Sequence, residues 1–251
     1  MAIMIIKFKE NGEKALEKRG YSDIVHINKD VYYCTPPSYD TNELDIQVIC
    51  DSILRPGKLI FRYGAMGASK TADLLMVAFN YEEKGRDVLV VKSGVDTRDG
   101  KLTIRSRIGL VRECITLEHL LSLDPGSLLP YSVILCDEAQ FASKEQIDFL
   151  SKIVDFLGIT VICFGLRTDF QGKLFSGSQR LLAIADEIDE LKTICWCGRK
   201  ATCNARYSEQ GIIRDGEQVF MGSNSSYVSV CRKHFLTGQL WPSEKKINFK
   251  R

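Results

Sequence analysis

Residues 58–71, KLIFRYGAMGASKT, decide the predicted fold because they join a strand signal to a helix signal. The apolar run Lys58–Tyr63 predicts a short strand, and apolar spacing over Thr71–Lys84 predicts a helix. The residues between these signals follow the phosphate-loop pattern G-x-x-x-x-G-K-[ST], with Ser69 at the second glycine. We predict that the loop binds a nucleotide through Gly64, Ala65, Met66, Gly67, Ala68, Ser69, Lys70 and Thr71.

A phosphate loop works through its backbone and two side chains. Backbone N–H groups of a turn that enters a helix N-terminus cradle phosphates. Lys70 is predicted to reach the β- and γ-phosphates of ATP, and the Thr71 hydroxyl to ligate Mg²⁺. Ser69 departs from the pattern because its Cβ could crowd the phosphates, while Gly67 supplies a glycine two positions earlier. A chance Gly- and Ser-rich turn is the alternative interpretation.

Short apolar runs alternate with helical patterns after the loop. The runs Asp87–Lys92, Ser132–Cys136 and Ile159–Phe164 predict buried strands, and Lys144–Leu157 predicts a helix. Strands of this kind, separated by helices, form a parallel sheet that is covered on both faces. We therefore predict an α/β fold, a phosphate-loop (RecA-like) parallel sheet flanked by helices.

A pair of carboxylates ends one predicted strand. Asp137 and Glu138 follow the apolar run Val133–Cys136 directly. Because α/β sheets bind ligands at the carboxyl ends of their strands, we predict that Asp137 holds Mg²⁺. Glu138 would then lie beside the γ-phosphate as a general base. Acidic residues are also favoured at solvated helix N-termini, which is the alternative interpretation.

Several cysteines fall in a segment that we call the cysteine module (residues 191–240). Its C-x-C and C-x-x-H pairs supply three thiolates and one imidazole, the donor set of a closed structural Zn²⁺ site. The predicted zinc ligands are Cys195, Cys197, Cys231 and His234, with Cys203 as an alternative ligand. Ordinary reduced thiols are the other interpretation of these cysteines.

Composition limits the classes of function. Lys+Arg 34 against Asp+Glu 32 gives a net charge of +2, too balanced for a protein that chiefly holds nucleic acid. The apolar runs are too short to span a membrane and no secretory signal pattern is present, so we expect a cytoplasmic protein. The predicted domains are an N-terminal extension of unknown role (1–56), a nucleotide-binding α/β domain (57–190), the β-rich cysteine module (191–240) and a tail (241–251).

From about residue 58 to residue 235 the sequence resembles the thymidine kinases of the small, zinc-containing type, often called type II. Besides the phosphate loop, the resemblance rests on Asp96–Arg98, Ser106–Leu110, Asp137–Phe141, Gly165–Gly172, Leu191–Gly198, Gly216–Gln218 and Tyr227–His234. The bacterial members that it resembles most use the same C-x-C and C-x-x-H pairs, which favours zinc over free thiols. Ser69 and the extension depart from the compact members of the family.

The resemblance implies a chemistry of nucleotide salvage. The γ-phosphoryl group of Mg-ATP would pass to the 5′-hydroxyl of thymidine or deoxyuridine, giving dTMP from thymidine. Glu138 would be the general base, and Lys70 and Arg98 would stabilise the charge on the transferred group. Ala139 and Gln140 would be among the nucleotide-binding residues.

The resemblance also implies a nucleoside pocket and an assembly. Family matches set Met66, Phe141, Leu166 and Phe170 around the base. Tyr227 would lie in the lasso, the segment that closes over the nucleoside. Plain core packing is the alternative for the two Phe residues and the Leu, and a half-buried strand position is the alternative for Tyr227. Family members are commonly homotetramers.

Two rival functions remain at this point. The first is a phosphate-loop ATPase with a zinc ribbon that binds nucleic acid, against which the near-zero net charge argues. The second is a catalytically weakened family member with a regulatory role, motivated by Ser69 and by the extension.

Overall fold

The structure, a computed structural model, describes residues 4–7, 17–18, 20–28, 31–35, 57–95, 100, 102–218 and 226–242. Arg98, predicted above to stabilise charge, lies outside the described residues, as do most of the extension and the end of the tail. Within this part of the chain, no helix is both long and apolar enough to cross a membrane.

The described part of the N-terminal extension forms a three-stranded antiparallel sheet. Its strands are β1 (Met4–Lys7), β2 (Ser22–Asn28) and β3 (Val31–Thr35), with β3 in the centre. The sequence patterns predict no structure for this zone. Short strands leave only weak local signals, because their stability comes largely from pairing with neighbouring strands rather than from intrinsic preference.

A six-stranded parallel sheet forms the centre of the molecule. The next strands along the chain are β4 (Leu59–Tyr63), β5 (Asp87–Lys92), β6 (Thr103–Arg105), β7 (Val111–Glu113), β8 (Ile115–Thr116), β9 (Tyr131–Asp137), β10 (Thr160–Gly165) and β11 (Glu187–Glu190). The parallel sheet has the order β11-β4-β10-β9-β5-β8, while β6 and β7 pair as an antiparallel hairpin. The predicted parallel sheet is confirmed.

Helices cover both faces of this sheet, as predicted. The helices of the described chain are α1 (Lys70–Glu82), α2 (Leu117–Ser122), α3 (Lys144–Leu157), α4 (Ser176–Ile184) and α5 (Arg232–Thr237). Side chains of β9 alternate between the two faces. Val133 and Leu135 are buried in one cluster with Leu74 of α1, whereas Ile134 is buried in another cluster with Ile147 of α3. Strands covered in this way read as continuous apolar runs.

Local signals explain why α3 has the bounds that the sequence predicts. The Ser143 hydroxyl accepts from the backbone of Gln146, and the Gln146 side chain accepts from the backbone N–H of Ser143. This capping box begins the helix. Gly158, with a φ of 66°, ends it in the left-handed conformation.

The cysteine module contains a small antiparallel sheet. Its strands are β12 (Cys203–Ser208), β13 (Gly211–Ile213) and β14 (Tyr227–Val230), in the order β13-β12-β14. A small apolar cluster, which includes Ala205 and Val230, lies beneath this sheet together with two of the predicted zinc ligands. A cluster of this size supplies little hydrophobic stabilisation, and small domains of this kind commonly gain stability from a bound metal.

Candidate active site and metal centre

The phosphate loop runs from the end of β4 into α1, as the motif requires. Gly64 begins the loop, and its N–H donates to the carbonyl of Gly165 at 3.2 Å. A Cβ on Gly64 would lie 2.5 Å from the carbonyl oxygen of Leu191, so only glycine fits there. The Nζ of Lys70 lies over the loop, 3.2 Å from the carbonyl oxygen of Ala65 and 3.4 Å from that of Gly64.

Ser69 takes the left-handed conformation, with a φ of 55° and a ψ of 28°. This backbone region favours glycine, which is the residue that the phosphate-loop pattern has at this position. The Ser69 side chain is exposed and makes no capping hydrogen bond to α1. The loop therefore accommodates Ser69 with backbone strain, and no side-chain capping hydrogen bond to α1 compensates for it.

Hydrogen bonds within the chain occupy some of the loop amides. The N–H of Ala68 donates to the carbonyl of Ala65 at 3.2 Å, and the N–H of Met66 donates to the side chain of Asn204 at 2.8 Å. Among the described residues, the N–H groups of Gly67 and Ser69 have no acceptor. Unpaired amides at the start of a helix are suited to an anion.

Asp137 and Thr71 meet at the carboxyl end of β9. The Thr71 hydroxyl donates to Oδ2 of Asp137 at 3.0 Å, and the backbone N–H of Glu138 donates to Oδ1 at 3.0 Å. Burial, together with the neighbouring charge of Glu138, raises the pKa of Asp137 to about 7. A hydroxyl paired with a buried carboxylate is a set of oxygen ligands suited to Mg²⁺, whose positive charge would offset the charge of the carboxylate.

Glu138 is held by an unusual backbone conformation and by one amide side chain. Its φ of 51° makes it, with Ser69, one of two non-glycine residues of the described chain in the left-handed region. The buried Gln140 donates from Nε2 to Oε2 of Glu138 at 2.5 Å, while its Oε1 accepts from the backbone N–H of Leu166 at 3.0 Å. Gln140 thus fixes the Glu138 carboxylate relative to the end of β10.

Aromatic and apolar residues of the predicted nucleoside pocket follow β9 and β10. Phe141 makes an edge-to-face contact with Phe175, with ring centroids 5.7 Å apart. The Phe170 ring is 1% exposed, and the guanidinium of Arg206 lies 5.1 Å from its centroid. Leu166 is partly buried and accepts from the hydroxyl of Ser178 through its carbonyl.

Tyr227 begins β14, opposite Arg206 of β12. Partial burial raises the pKa of the Tyr227 hydroxyl, so it is protonated at neutral pH and can donate a hydrogen bond. The segment between Gln218 and Ser226 lies outside the described residues, so the structure gives the two stems of the predicted lasso. One stem is fixed by the amide of Gln218, which donates to the buried Asp169 at 2.9 Å.

The four predicted zinc ligands come together, although 39 residues separate the first from the last. Their ligand atoms all lie within 4.8 Å of one another, and the Sγ of Cys195 is 3.3 Å from the Nδ1 of His234. Cys203 is outside this group. The backbone N–H of His234 lowers the pKa of the Cys231 thiol, which favours the thiolate that metals bind. Three sulfurs and one imidazole nitrogen at this spacing fit tetrahedral Zn²⁺.

The cysteine module holds the phosphate loop at the backbone of one residue, Met66. Asn204 of β12 accepts from the N–H of Met66, and its Nδ2 donates to the carbonyl of Thr168 at 3.2 Å. Ser229 of β14 donates its hydroxyl to the carbonyl of Met66. We call this arrangement the Met66 clamp. Sequence reasoning missed the clamp, because an isolated Asn or Ser carries no motif. It predicted Gln140 as a nucleotide-binding residue but missed its contact with Glu138, because the motif does not specify the side-chain partner.

The fold and the site define a phosphate-loop α/β protein with an attached Cys/His cluster that could bind zinc. A sequence model described as thymidine kinase matches residues 57–235. The chain belongs to the thymidine kinase family, and it is a thymidine kinase enzyme by its family and its relatives.

Three curated thymidine kinases show the extent of this similarity. The protein of Rhodopirellula baltica is 48% identical over 184 residues, which cover 71% of this chain and 87% of that protein. The protein of Shewanella oneidensis is also 48% identical over 184 residues, covering 71% and 96%. The protein of Legionella pneumophila is 46% identical over 201 residues, covering 76% and 96%.

Similarity to solved structures is distant. The structure of Bacteroides Pif1 bound to single-stranded DNA matches with a TM-score of 0.35 and 16% identity, over 59% of this chain and 41% of that one. A likeness at this level says nothing about function.

Proposed function

We propose that this protein transfers the γ-phosphoryl group of Mg-ATP to the 5′-hydroxyl of thymidine or deoxyuridine, giving dTMP from thymidine. The observation that carries the proposal is the grouping of Thr71, Asp137 and Glu138 beside the phosphate loop. It supplies a cation-binding pair and a carboxylate base at adjacent positions, as phosphoryl transfer to an alcohol requires.

The phosphate chain of ATP is bound by residues 64–71. The amides of Gly67 and Ser69 donate to phosphate oxygens, and Lys70 turns from the loop carbonyls towards the β- and γ-phosphates. Thr71 and Asp137 hold the Mg²⁺ ion, which when bound neutralises charge on the β- and γ-phosphates. Arg98, outside the described residues, is proposed as a further charge-stabilising group.

Glu138 removes the proton of the 5′-hydroxyl. The 5′-oxygen then forms a bond to the γ-phosphorus, and the bond from that phosphorus to the oxygen bridging the β- and γ-phosphates breaks. The products are the nucleoside monophosphate and ADP, with the proton on the Glu138 carboxylate. Gln140 acts as a positioning residue, since its amide holds the carboxylate at 2.5 Å.

The nucleoside base is bound between the carboxyl end of β10 and the cysteine module. The wall of this pocket on the side of the parallel sheet is formed or supported by Phe141, Leu166 and Phe170. Met66 and Tyr227 close the pocket from the loop and from β14. The amides of the lasso backbone supply polar contacts with thymine, as the family resemblance implies.

The remaining parts of the proposal concern organisation. Zn²⁺ bound by Cys195, Cys197, Cys231 and His234 clamps the base of the long excursion between the two ligand pairs and so holds together the cysteine module, residues 191–240, beside the nucleotide-binding domain, residues 57–190. The described cysteines outside the Cys/His cluster, Cys114, Cys136, Cys163 and Cys203, are free thiols. Free thiols fit a reducing compartment, which supports a cytoplasmic location. A homotetramer, which sedimentation of the purified protein would test, rests on the family alone.

The direct test is transfer of labelled phosphate from [γ-³²P]ATP to thymidine and to deoxyuridine, with and without Mg²⁺. Labelled nucleoside monophosphate is the expected product. Thymidine binding without transfer would favour the catalytically weakened alternative. Tight, salt-sensitive DNA binding with ATP hydrolysis but no transfer would favour the ATPase alternative.

A matched pair of variants tests the base. Glu138→Gln keeps the shape of the side chain but cannot accept the proton, so kcat should fall by about 10²- to 10⁴-fold with ATP binding retained. Glu209→Gln removes a carboxylate from an exposed turn and should keep the wild-type kcat. A wild-type rate in Glu138→Gln would remove Glu138 from this role.

A further inference from the structure

The block Ser106–Leu110 carries an arginine that the proposed reaction leaves without a role. These residues form the turn of the hairpin that joins β6 to β7. The hairpin lies outside the parallel sheet. Its turn reaches the phosphate loop, where the side chain of Arg107 approaches Gly67.

The turn that presents Arg107 is internally fixed. The N–H of Ser106 donates to the carbonyl of Leu110 at 2.8 Å, and the N–H of Leu110 donates to the Ser106 hydroxyl at 3.0 Å. Gly109 supplies the left-handed residue, with a φ of 91°. Ser106 itself is buried. A turn closed by these bonds holds the backbone of Arg107 in one place.

The hairpin is also fixed to α1, the helix that the phosphate loop begins. The guanidinium of Arg112 on β7 makes two hydrogen bonds to the carboxylate of Glu82, at 2.8 and 2.5 Å. Ile104 of β6 is buried in the same apolar cluster as Leu74 of α1. Both strands of the hairpin therefore contact α1 at the level of the Ile104–Arg112 pair, and the turn is positioned relative to the loop.

The surroundings of Arg107 are those of an anion site. The nearest atom to a Cβ position at Gly67, outside the neighbouring residues, is Nη1 of Arg107 at 3.9 Å. Arg107 is exposed, and the described residues offer its guanidinium neither a hydrogen bond nor a carboxylate. The N–H groups of Gly67 and Ser69, also without acceptors among the described residues, lie on the same loop. A guanidinium beside such amides matches the geometry of phosphate.

We propose that Arg107 binds the phosphate chain of ATP from the hairpin side of the loop and stabilises its charge during transfer. This inference rests on the proposed function and adds a further cation, besides Lys70 and Arg98, to the same site. Lys70 comes from the start of α1, whereas Arg107 comes from a separate hairpin. Arginines that reach a transferred phosphoryl group from outside the phosphate loop are a recurring device of phosphate-loop enzymes.

The test compares Arg107→Ala and Arg107→Lys with two controls. Ile108→Ala alters an exposed neighbour on the same turn, and Arg86→Ala removes an exposed positive charge that precedes the opposite, amino-terminal end of β5. Titration calorimetry measures the Kd of each protein for Mg-ATP, Mg-ADP and thymidine. Labelled phosphate transfer gives kcat, and melting curves and zinc content monitor folding.

Arg107→Ala should weaken Mg-ATP binding by about tenfold and lower kcat by about 10²-fold, the scale of losing one transition-state donor. Arg107→Lys should recover part of the ATP affinity, because it keeps the charge but not the fork. Thymidine affinity, the melting temperature and both controls should stay at the wild-type values. A loss for ATP alone assigns the contact to the γ-phosphate, and an equal loss for ADP assigns it to the β-phosphate.

Unchanged ATP affinity and unchanged kcat in Arg107→Ala would overturn the inference. A loss of activity that accompanied a lower melting temperature, or that Ile108→Ala reproduced, would reduce Arg107 to a structural role and would also overturn it. Failure of the proposed function can be distinguished from failure of this inference. If the wild-type protein binds ATP but does not phosphorylate thymidine or deoxyuridine, the ATP affinities of the wild-type protein and the Arg107 variants can still be compared.

Discussion

Two regions meet at the site and are built on different principles. One is the phosphate-loop edge, by which we mean residues 64–71 and Asp137–Gln140. It contains both non-glycine residues of the described chain that have a left-handed backbone, Ser69 and Glu138. The other is the cysteine module, where the described residues outside glycine keep ordinary backbone angles and four ligands converge from distant positions.

The difference lies in what stabilises each region. The phosphate-loop edge carries strain and a buried carboxylate, and the large core of the parallel sheet supports both. The cysteine module has a small core beside a Cys/His cluster that could hold a metal ion. Changes at the edge should therefore alter activity while the fold persists, whereas changes at the metal centre should unfold the module itself.

The largest effect should come from removing a metal ligand. Cys231→Ser should lose the zinc and expose the backbone of β12 and β14 to solvent, because structural zinc sites supply roughly 10 kcal/mol of folding free energy in small domains. Strand β9 should stay protected. Metal analysis and hydrogen exchange measured by mass spectrometry would check this.

Cys203→Ser is the matched control, since Cys203 lies in the same module but outside the ligand group. It should keep both zinc and protection. A wild-type protein that is fully ordered and active without zinc would contradict the contrast between the two regions.

Asp137→Asn should raise the free energy of unfolding, whereas loss of a zinc ligand should lower it. It should also abolish Mg²⁺-dependent transfer. The pKa of this carboxyl is about 7 in the folded protein against 3.8 in the unfolded chain, so the native state binds more protons between these pH values. Wild-type stability without metal should therefore fall as pH rises from about 4 to about 7. The variant should lack this fall and should be more stable at pH 8 by about 1–3 kcal/mol.

Urea unfolding without Mg²⁺ at pH 5 and pH 8 measures the effect. The stabilisation should appear at pH 8 and largely disappear at pH 5, where Asp137 is protonated. An equal difference at both pH values would mean that the charge is not its cause.

A smaller effect should come from the Met66 clamp, which joins the two regions. Asn204→Ala leaves the N–H of Met66 without its acceptor and should cost about 1–2 kcal/mol. We expect faster exchange of the Met66 amide and a higher KM for ATP. Ser208→Ala, at the exposed end of β12, is the control and should change neither.

Adding Ser229→Ala completes the test of coupling. Both side chains hold the backbone of the same residue, Met66, so the loss in the double variant should be smaller than the sum of the two single losses. Strict additivity would indicate that Asn204 and Ser229 act independently.

The smallest effect concerns strain in the loop. The left-handed backbone at Ser69 costs a residue with a side chain about 1 kcal/mol, and Ser69→Gly removes this strain. Part of the gain in stability is offset because glycine is more flexible in the unfolded chain. Stability should be unchanged or slightly higher, with ATP affinity kept or raised. Gly67→Ala imposes the same strain at a φ of 77° and should be destabilising. Melting curves and ATP titration of both variants check the signs, and a clear loss of ATP affinity in Ser69→Gly would give Ser69 a contact of its own.

The sequence predicted those parts of the fold that depend on local patterns. Four predicted strands of the parallel sheet and α3 lie within one residue of their observed bounds, because continuous apolar runs and capping residues are local signals. The sequence also predicted that Thr71 and Asp137 lie at one site. Thr71 follows β4 and Asp137 ends β9, and the carboxyl ends of these parallel strands share one edge of the sheet.

Local patterns in the sequence were therefore enough to predict the sheet, the phosphate loop, the carboxylate pair and the Cys/His cluster that could hold a metal ion. Tertiary structure alone decided the Met66 clamp, the bracing of Glu138 by Gln140 and the approach of Arg107 to Gly67. The clamp links Met66 to Asn204 and to Ser229, which lie 138 and 163 positions further along the chain. Contacts of this kind depend on how separate elements pack, and a single Asn, Ser, Gln or Arg has no sequence pattern that specifies its partner.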